Sequence, residues 1–242
     1  MRAKRGGNWA RFLLLAIALC IACAGQALGQ YRRADAGALD RSAGPVRLVV
    51  MPLDVQLSLL TAGGVQEPSA EWTETATQLL AAAISDYGKA RGIVAVPFDE
   101  ARLAGDEVDT ALQLVKLHGL VGRSITVYQL SDGAQLPTKA DSFDWSLGPQ
   151  VEVIGRTQQA DYALFIFLRD SYASGGRVAA TVLGAMVGVA LPAPAQIGFA
   201  SVVDLKTGNV ARFNLVRRLT GNVRTPEGAR ETVQELLKGL RE

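Results

Sequence analysis

Few side chains in this chain have the type and spacing to do chemistry. There is one histidine, His118, among 242 residues. A lone imidazole excludes a His-pair metal site. Both cysteines, Cys20 and Cys23, fall in an N-terminal apolar run, so no thiolate cluster forms in the remainder. No GxSxG elbow, P-loop or GxGxxG occurs. Asp141 and Asp144 are carboxylates in one loop, fit for acid–base work or simply solvated. His118 could join a remote Asp and Ser in a triad, or lie in the core. Ser174-Gly175-Gly176-Arg177 could cradle an anion through main-chain N–H groups and a guanidinium, or form a flexible turn.

Two other groups suit a partner better than a substrate. Phe143-Asp144-Trp145 sets two aromatics around an acid. Such a trio could grip another protein. Equally, the aromatics could anchor their own loop while Asp144 caps the next turn. Arg169-Asp170 closes an apolar strand, where parallel sheets place their sites, or forms a structural ion pair. The pattern predicts no catalytic residue, no cofactor and no metal. Asp144, Trp145, Arg169 and Asp170 stand as candidates for partner contact.

These residues must be held by an α/β domain. PVRLVVMPLDV (45–55) reads as a buried strand, followed by a loop through Gly63-Gly64. Trp72, Ala76, Leu79, Leu80, Ala83, Ile84 and Tyr87 recur on one helical face, with Ser69 as N-cap and Gly88 or Gly92 as the stop. IVAVPF (93–98) completes a βαβ unit with a parallel pair. Residues 106–130 read as helix, with Gly119 and Gly122 dividing it in two. Ala163 to Leu168 has no polar residue on either face, as a central strand requires. QIGFASVVDL and VARFNLV form a hairpin with Gly208 at its turn. Thr225-Pro226-Glu227 opens a C-terminal helix that buries Ala229, Val233, Leu236, Leu237 and Leu240. The expected architecture is a mixed sheet of about five strands, two or three layers deep, ending in that hairpin and helix.

The N-terminus reads as an export leader. Arg2, Lys4, Arg5 and Arg11 precede 13 uncharged residues, 12–24, and then small ones. Ala27-Leu28-Gly29 is the favoured cleavage site, with Ala22-Cys23-Ala24 as another. Cys23 is also the candidate lipidated cysteine, which would attach the N-terminus to a membrane. The leader holds four of the 25 basic residues and no acid; 25 less 4 leaves 21 against 23 acids, a net of −2. The basic balance of the whole chain is therefore no argument for nucleic acid. Residues 30–45 read as a polar, disordered tether, and 46–242 as one domain.

One segment has no conventional place in that domain. Residues 178–203 carry no charge. Before Pro192 and Pro194 lie 14 residues, Val178–Leu191, a helix of about 21 Å that falls short of a ~30 Å hydrocarbon core. Strict strand alternation is missing. Ala180, Gly184 and Gly188 set small residues four apart, a strip where another backbone could approach. The apolar insert 178–194 has three readings: a buried or docked helix, a face for self-association or a membrane-embedded partner, or a segment entering lipid after oligomerisation.

The strand VRLVVMPLDV, the strand ADYALFIFL and the hairpin VVDLKTGNVARFN with its D-L-x-T-G phrase resemble the small α/β domain of bacterial envelope proteins. The similar groups are the TolB N-terminal domain, the curli-secretion lipoproteins and uncharacterised proteobacterial lipoproteins of this layout. The resemblance implies a non-enzymatic, exported, periplasmic protein that assembles or stabilises an envelope complex by contact with an envelope partner or with itself. An oligomeric secretion-channel component and a hydrolase are the alternatives.

Overall fold

The computed structural model describes residues 30–35, 47–131, 136–139, 142–219 and 221–240. The leader, its cleavage sites, Cys23, Asp141 and residues 36–45 of the expected tether lie outside the described residues. The strands are β1 (Gln30–Asp35), β2 (Arg47–Val50), β3 (Asp54–Leu60), β4 (Gln66–Pro68), β5 (Val94–Pro97), β6 (Tyr162–Ala173), β7 (Gln196–Asp204) and β8 (Val210–Arg218). The helices are α1 (Ala70–Arg91), α2 (Glu107–Tyr128), α3 (Glu152–Gln158), α4 (Gly175–Met186) and α5 (Pro226–Leu236).

The eight strands form one mixed sheet in the order β1-β8-β7-β6-β2-β5, with β3 also on β6 and β4 on β3. The α/β class and the closing hairpin and helix are as expected. Of the additional strands, β1 and the three-residue β4 lie at edges, and β3 arises by division of an expected strand. The single strand expected over 45–55 is two, because Met51-Pro52-Leu53 interrupts it and Pro52 has no N–H to donate. β2 and β3 then pair in turn, both parallel, with the same edge of β6. β1 adds antiparallel to β8 within the expected tether. Main-chain pairing needs no apolar alternation, so composition could not announce it.

β6 organises the core. Leu164, Ile166 and Leu168 face α1 and α5, while Ala163, Phe165 and Phe167 face α2 and α3. All are buried. Successive side chains point to opposite faces, so an uninterrupted apolar run is what a three-layer α/β/α arrangement demands. Burying each large side chain contributes roughly 1.5–3 kcal/mol. β8 carries one extra residue opposite Val202–Val203, a bulge that turns Ala211 toward the first face while Phe213 and Leu215 keep the second.

Caps follow the sequence signals. Ser69 Oγ accepts from the Trp72 amide, Gly92 closes α1 at φ +63°, and Thr225 Oγ1 accepts from the Gly228 amide at the start of α5. Asn214 donates to the carbonyls of Leu236 and Lys238, satisfying the end of α5.

α2 is one continuous helix, not two. Gly119 and Gly122 do not break it; they let it lie directly on aromatic rings. A Cβ on Gly119 would sit 3.4 Å from Phe167, and one on Gly122 would enter the Phe199 ring. We predict that Gly122→Ala lowers stability by about 1–3 kcal/mol despite the better helix propensity of alanine. A urea midpoint equal to or above wild type would contradict this packing.

Candidate functional site

β6 and β7 run side by side until the rung Asp170↔Gln196. Beyond it β6 runs on to Ala173 against β3 alone, and the chain then leaves the sheet as α4 and comes back through residues 187–195. Ser174 Oγ accepts from the Arg177 amide at 3.0 Å and starts the helix. Its end is a Schellman turn: the Val189 amide donates to Gly184 O at 2.8 Å and the Gly188 amide to Ala185 O at 3.2 Å, with Gly188 at φ +77°. Arg177 is the only buried residue of α4. Its guanidinium donates to Pro192 O at 2.6 Å and Ala62 O at 3.4 Å, tying the helix start to the returning chain and to the β3–β4 turn.

Everything above Arg177 stands out as a finger. Val178, Val182, Leu183, Met186, Val187 and Val189 are at least half exposed, and Met186 reaches 78 %. Thr181 and Ala185 are exposed as well. The insert is therefore neither buried nor docked on its own domain. It lacks a charged face, so water covers apolar side chains around most of its circumference. Among the described residues no helix is long and apolar enough to cross a membrane.

The foot of the finger is polar and closed. Asp170, 5 % exposed, accepts on Oδ2 from Tyr172 Oη at 2.7 Å and Gln196 Nε2 at 2.9 Å. Gln196 Oε1 accepts from Arg218 at 2.7 and 3.0 Å and from Thr232 of α5 at 3.3 Å. Tyr172 Oη accepts from the Val223 amide at 3.1 Å. The Arg224 guanidinium lies 3.7 Å from the Tyr172 ring centre and 4.5 Å from that of Trp72. Asp170, Tyr172, Pro194, Gln196 and Leu219 line a cleft of about 200 Å³ there. Burial raises the Asp170 carboxyl above its ordinary range, against the hydrogen bonds that lower it. Burial and the bond to Asp170 push the Tyr172 phenol upward.

The other candidates resolve into structural roles. Arg169 and Asp170 point to opposite faces and do not pair. Arg169 instead binds Asp54, at 2.7 Å to Oδ1 and 2.8 Å to the carbonyl, and lies over Phe167. Asp144 pairs with Lys139 at 2.7 Å, which holds its carboxyl below the usual range. Trp145 Nε1 donates to Gln129 Oε1, with Lys139 over its ring. The aromatic loop thus folds back on α2. Gly184 abuts the finger's own Val189 and Leu191, while Gly188 forms its turn and is exposed. Most of the finger's exposed surface comes from the branched side chains and Met186. Freedom from charge signalled the segment.

His118 shares a 2.9 Å hydrogen bond with Ser201 Oγ between Phe165 and Phe199. It is 1 % exposed, Nδ1 has no partner among the described residues, and burial lowers its pKa to about 3. The imidazole is neutral, and among the described residues no carboxylate orients it as a triad would require.

No family model matches the chain, and no curated protein does. Among solved structures it is similar to the PelC dodecamer from Paraburkholderia phytofirmans, with TM-score 0.35 and 14% identity over 87% of this chain and 98% of that one. A point variant of that dodecamer gives TM-score 0.36 and 15% identity over 86% and 96%. Likeness at this level bears on no functional reading.

His118 and Asp170, both buried, act on stability in opposite directions. His118 favours the neutral form in the fold, so its contribution is full above pH 6.5 and is lost as pH falls toward 3. The loss approaches about 1.4 kcal/mol per pH unit. Asp170 has a raised folded pKa, so its contribution is present at low pH and lost as pH rises through that value. We predict that stability from urea titrations declines between pH 6.5 and 4.5. The decline flattens in the double variant His118→Leu, Ser201→Ala and steepens in Asp170→Asn. Unchanged slopes in both would contradict these assignments.

Proposed function

We propose that this protein is a non-enzymatic exported protein of the cell envelope, acting by protein–protein contact in the assembly or stabilisation of an envelope complex. The contact segment is 178–191. One observation carries the reading: a helix without charge beyond its buried Arg177, and its return, project from a closed core and expose apolar side chains over much of the finger. Folded monomers avoid a contiguous apolar surface of this kind unless something covers it.

Other features support the remaining parts. The basic start and 13 uncharged residues support export, with Cys23 as the residue through which lipid would attach the chain. The strand and hairpin phrases support kinship with the TolB-type and curli-secretion lipoprotein domains. The burial of His118 with Ser201 alone supports a role other than catalysis. The foot network keeps the finger at a fixed place on a rigid sheet, as a contact element needs.

A photo-reactive phenylalanine analogue in place of Leu183 tests this in intact cells. We predict covalent adducts to protein on irradiation, and none from the same analogue in place of Lys206, an exposed turn residue. Adducts no more abundant from 183 than from 206 would overturn the contact role.

A further inference from the structure

Resting on the contact role above, we infer that the finger's partner is a second copy of the same finger, packed about a two-fold axis. The six apolar side chains of the finger are between 50 and 78 % exposed and together present on the order of 650 Å², so a pair covering all of them would bury at most roughly 1,300 Å². That upper bound reaches the low end of the ~1,200–2,000 Å² of specific, stable interfaces.

Charge selects self over foreign partner. In a two-fold contact the same patch meets itself, so any charge on it meets a like charge. Residues 178–203 hold none. A finger shaped to seek an unrelated protein would gain orientation and rate from charge complementarity, and this one has forgone both.

Backbone satisfaction selects protein over lipid. Among the described residues the amides of Ala190, Leu191 and Ala193 make no intramolecular hydrogen bond. In hydrocarbon each would cost several kcal/mol, whereas a facing chain offers carbonyls and bridging water. Helices that lie on membranes also carry Lys or Arg along a polar face, which α4 lacks.

Complementary charges at Met186 provide the test, using the chain from Gln30 onward. Sedimentation equilibrium is run on wild type, Met186→Glu, Met186→Lys and an equimolar mixture of the two variants. The expected result is a wild-type dimer, single variants weakened by about tenfold or more, and recovery of the dimer in the mixture. A wild-type dimer with weakened single variants but no recovery would overturn finger-to-finger packing in favour of another surface on the second copy. A wild-type dimer that both charges leave intact would overturn it too. A monomeric wild type that floats with vesicles of phosphatidylethanolamine and phosphatidylglycerol would overturn it in favour of lipid. A monomer that ignores vesicles but forms adducts at 183 in cells would end this inference and leave the contact role standing. A monomer giving no adducts would end both.

Discussion

The rung between Asp170 and Gln196 is the constraint on which the rest depends. Below it, β6 and β7 are locked in register by a continuous main-chain ladder and by side chains packed on both faces. Above it the β6–β7 ladder stops, β6 goes on three residues against β3, and the chain then leaves the sheet. A carboxylate at this place is expensive to bury, and its bonds to Tyr172 and Gln196, and through Gln196 to Arg218 and Thr232, offset that cost. The network reaches from β6 to β8 and α5. The direction in which the finger leaves is therefore set by the whole end of the domain.

Two physical regimes meet at that line. The core side obeys ordinary packing, with stacked rings at Phe167, Phe199 and Phe213 and glycines of α2 lying against the first two. The outer side inverts the usual pattern, because the finger's apolar residues face water and its single buried residue is an arginine. Arg177 holds the two legs of the finger together through carbonyls instead of an acid partner. Such bonds fix geometry without placing a second charge where a partner must approach.

Much of the core was legible in the sequence. The period of α1, the two-sided apolar run of β6, the Gly208 hairpin and the Thr225-Pro226 helix start each have a local cause that one window of residues displays. The misses share a different cause. Gly119 and Gly122 read as helix breakers because their partners, Phe167 and Phe199, are distant in the chain. Pro52 divided a strand that composition made continuous. Arg169 and Asp170, adjacent in sequence, belong to opposite faces, and Asp54 could not be foreseen as the partner of the first. The finger was visible as a charge-free stretch, but whether it lay inside or outside depended on the sheet filling both its faces with other helices. A spacing of four at Gly184 and Gly188 did not announce the Schellman turn that ends α4.

The central claim is that the finger stands clear of its own domain, and the two methionines beyond the leader report on it directly. Met186 is at the exposed end of α4, whereas Met51 is 1 % exposed in the core. Peroxide oxidation of dilute protein from Gln30 onward, followed by mass spectrometry of the peptides, measures both in one sample. The account predicts that Met186 oxidises at close to the rate of a free peptide while Met51 is protected by at least about tenfold. Equal protection of the two residues at that dilution would place the finger against its own domain and contradict the account.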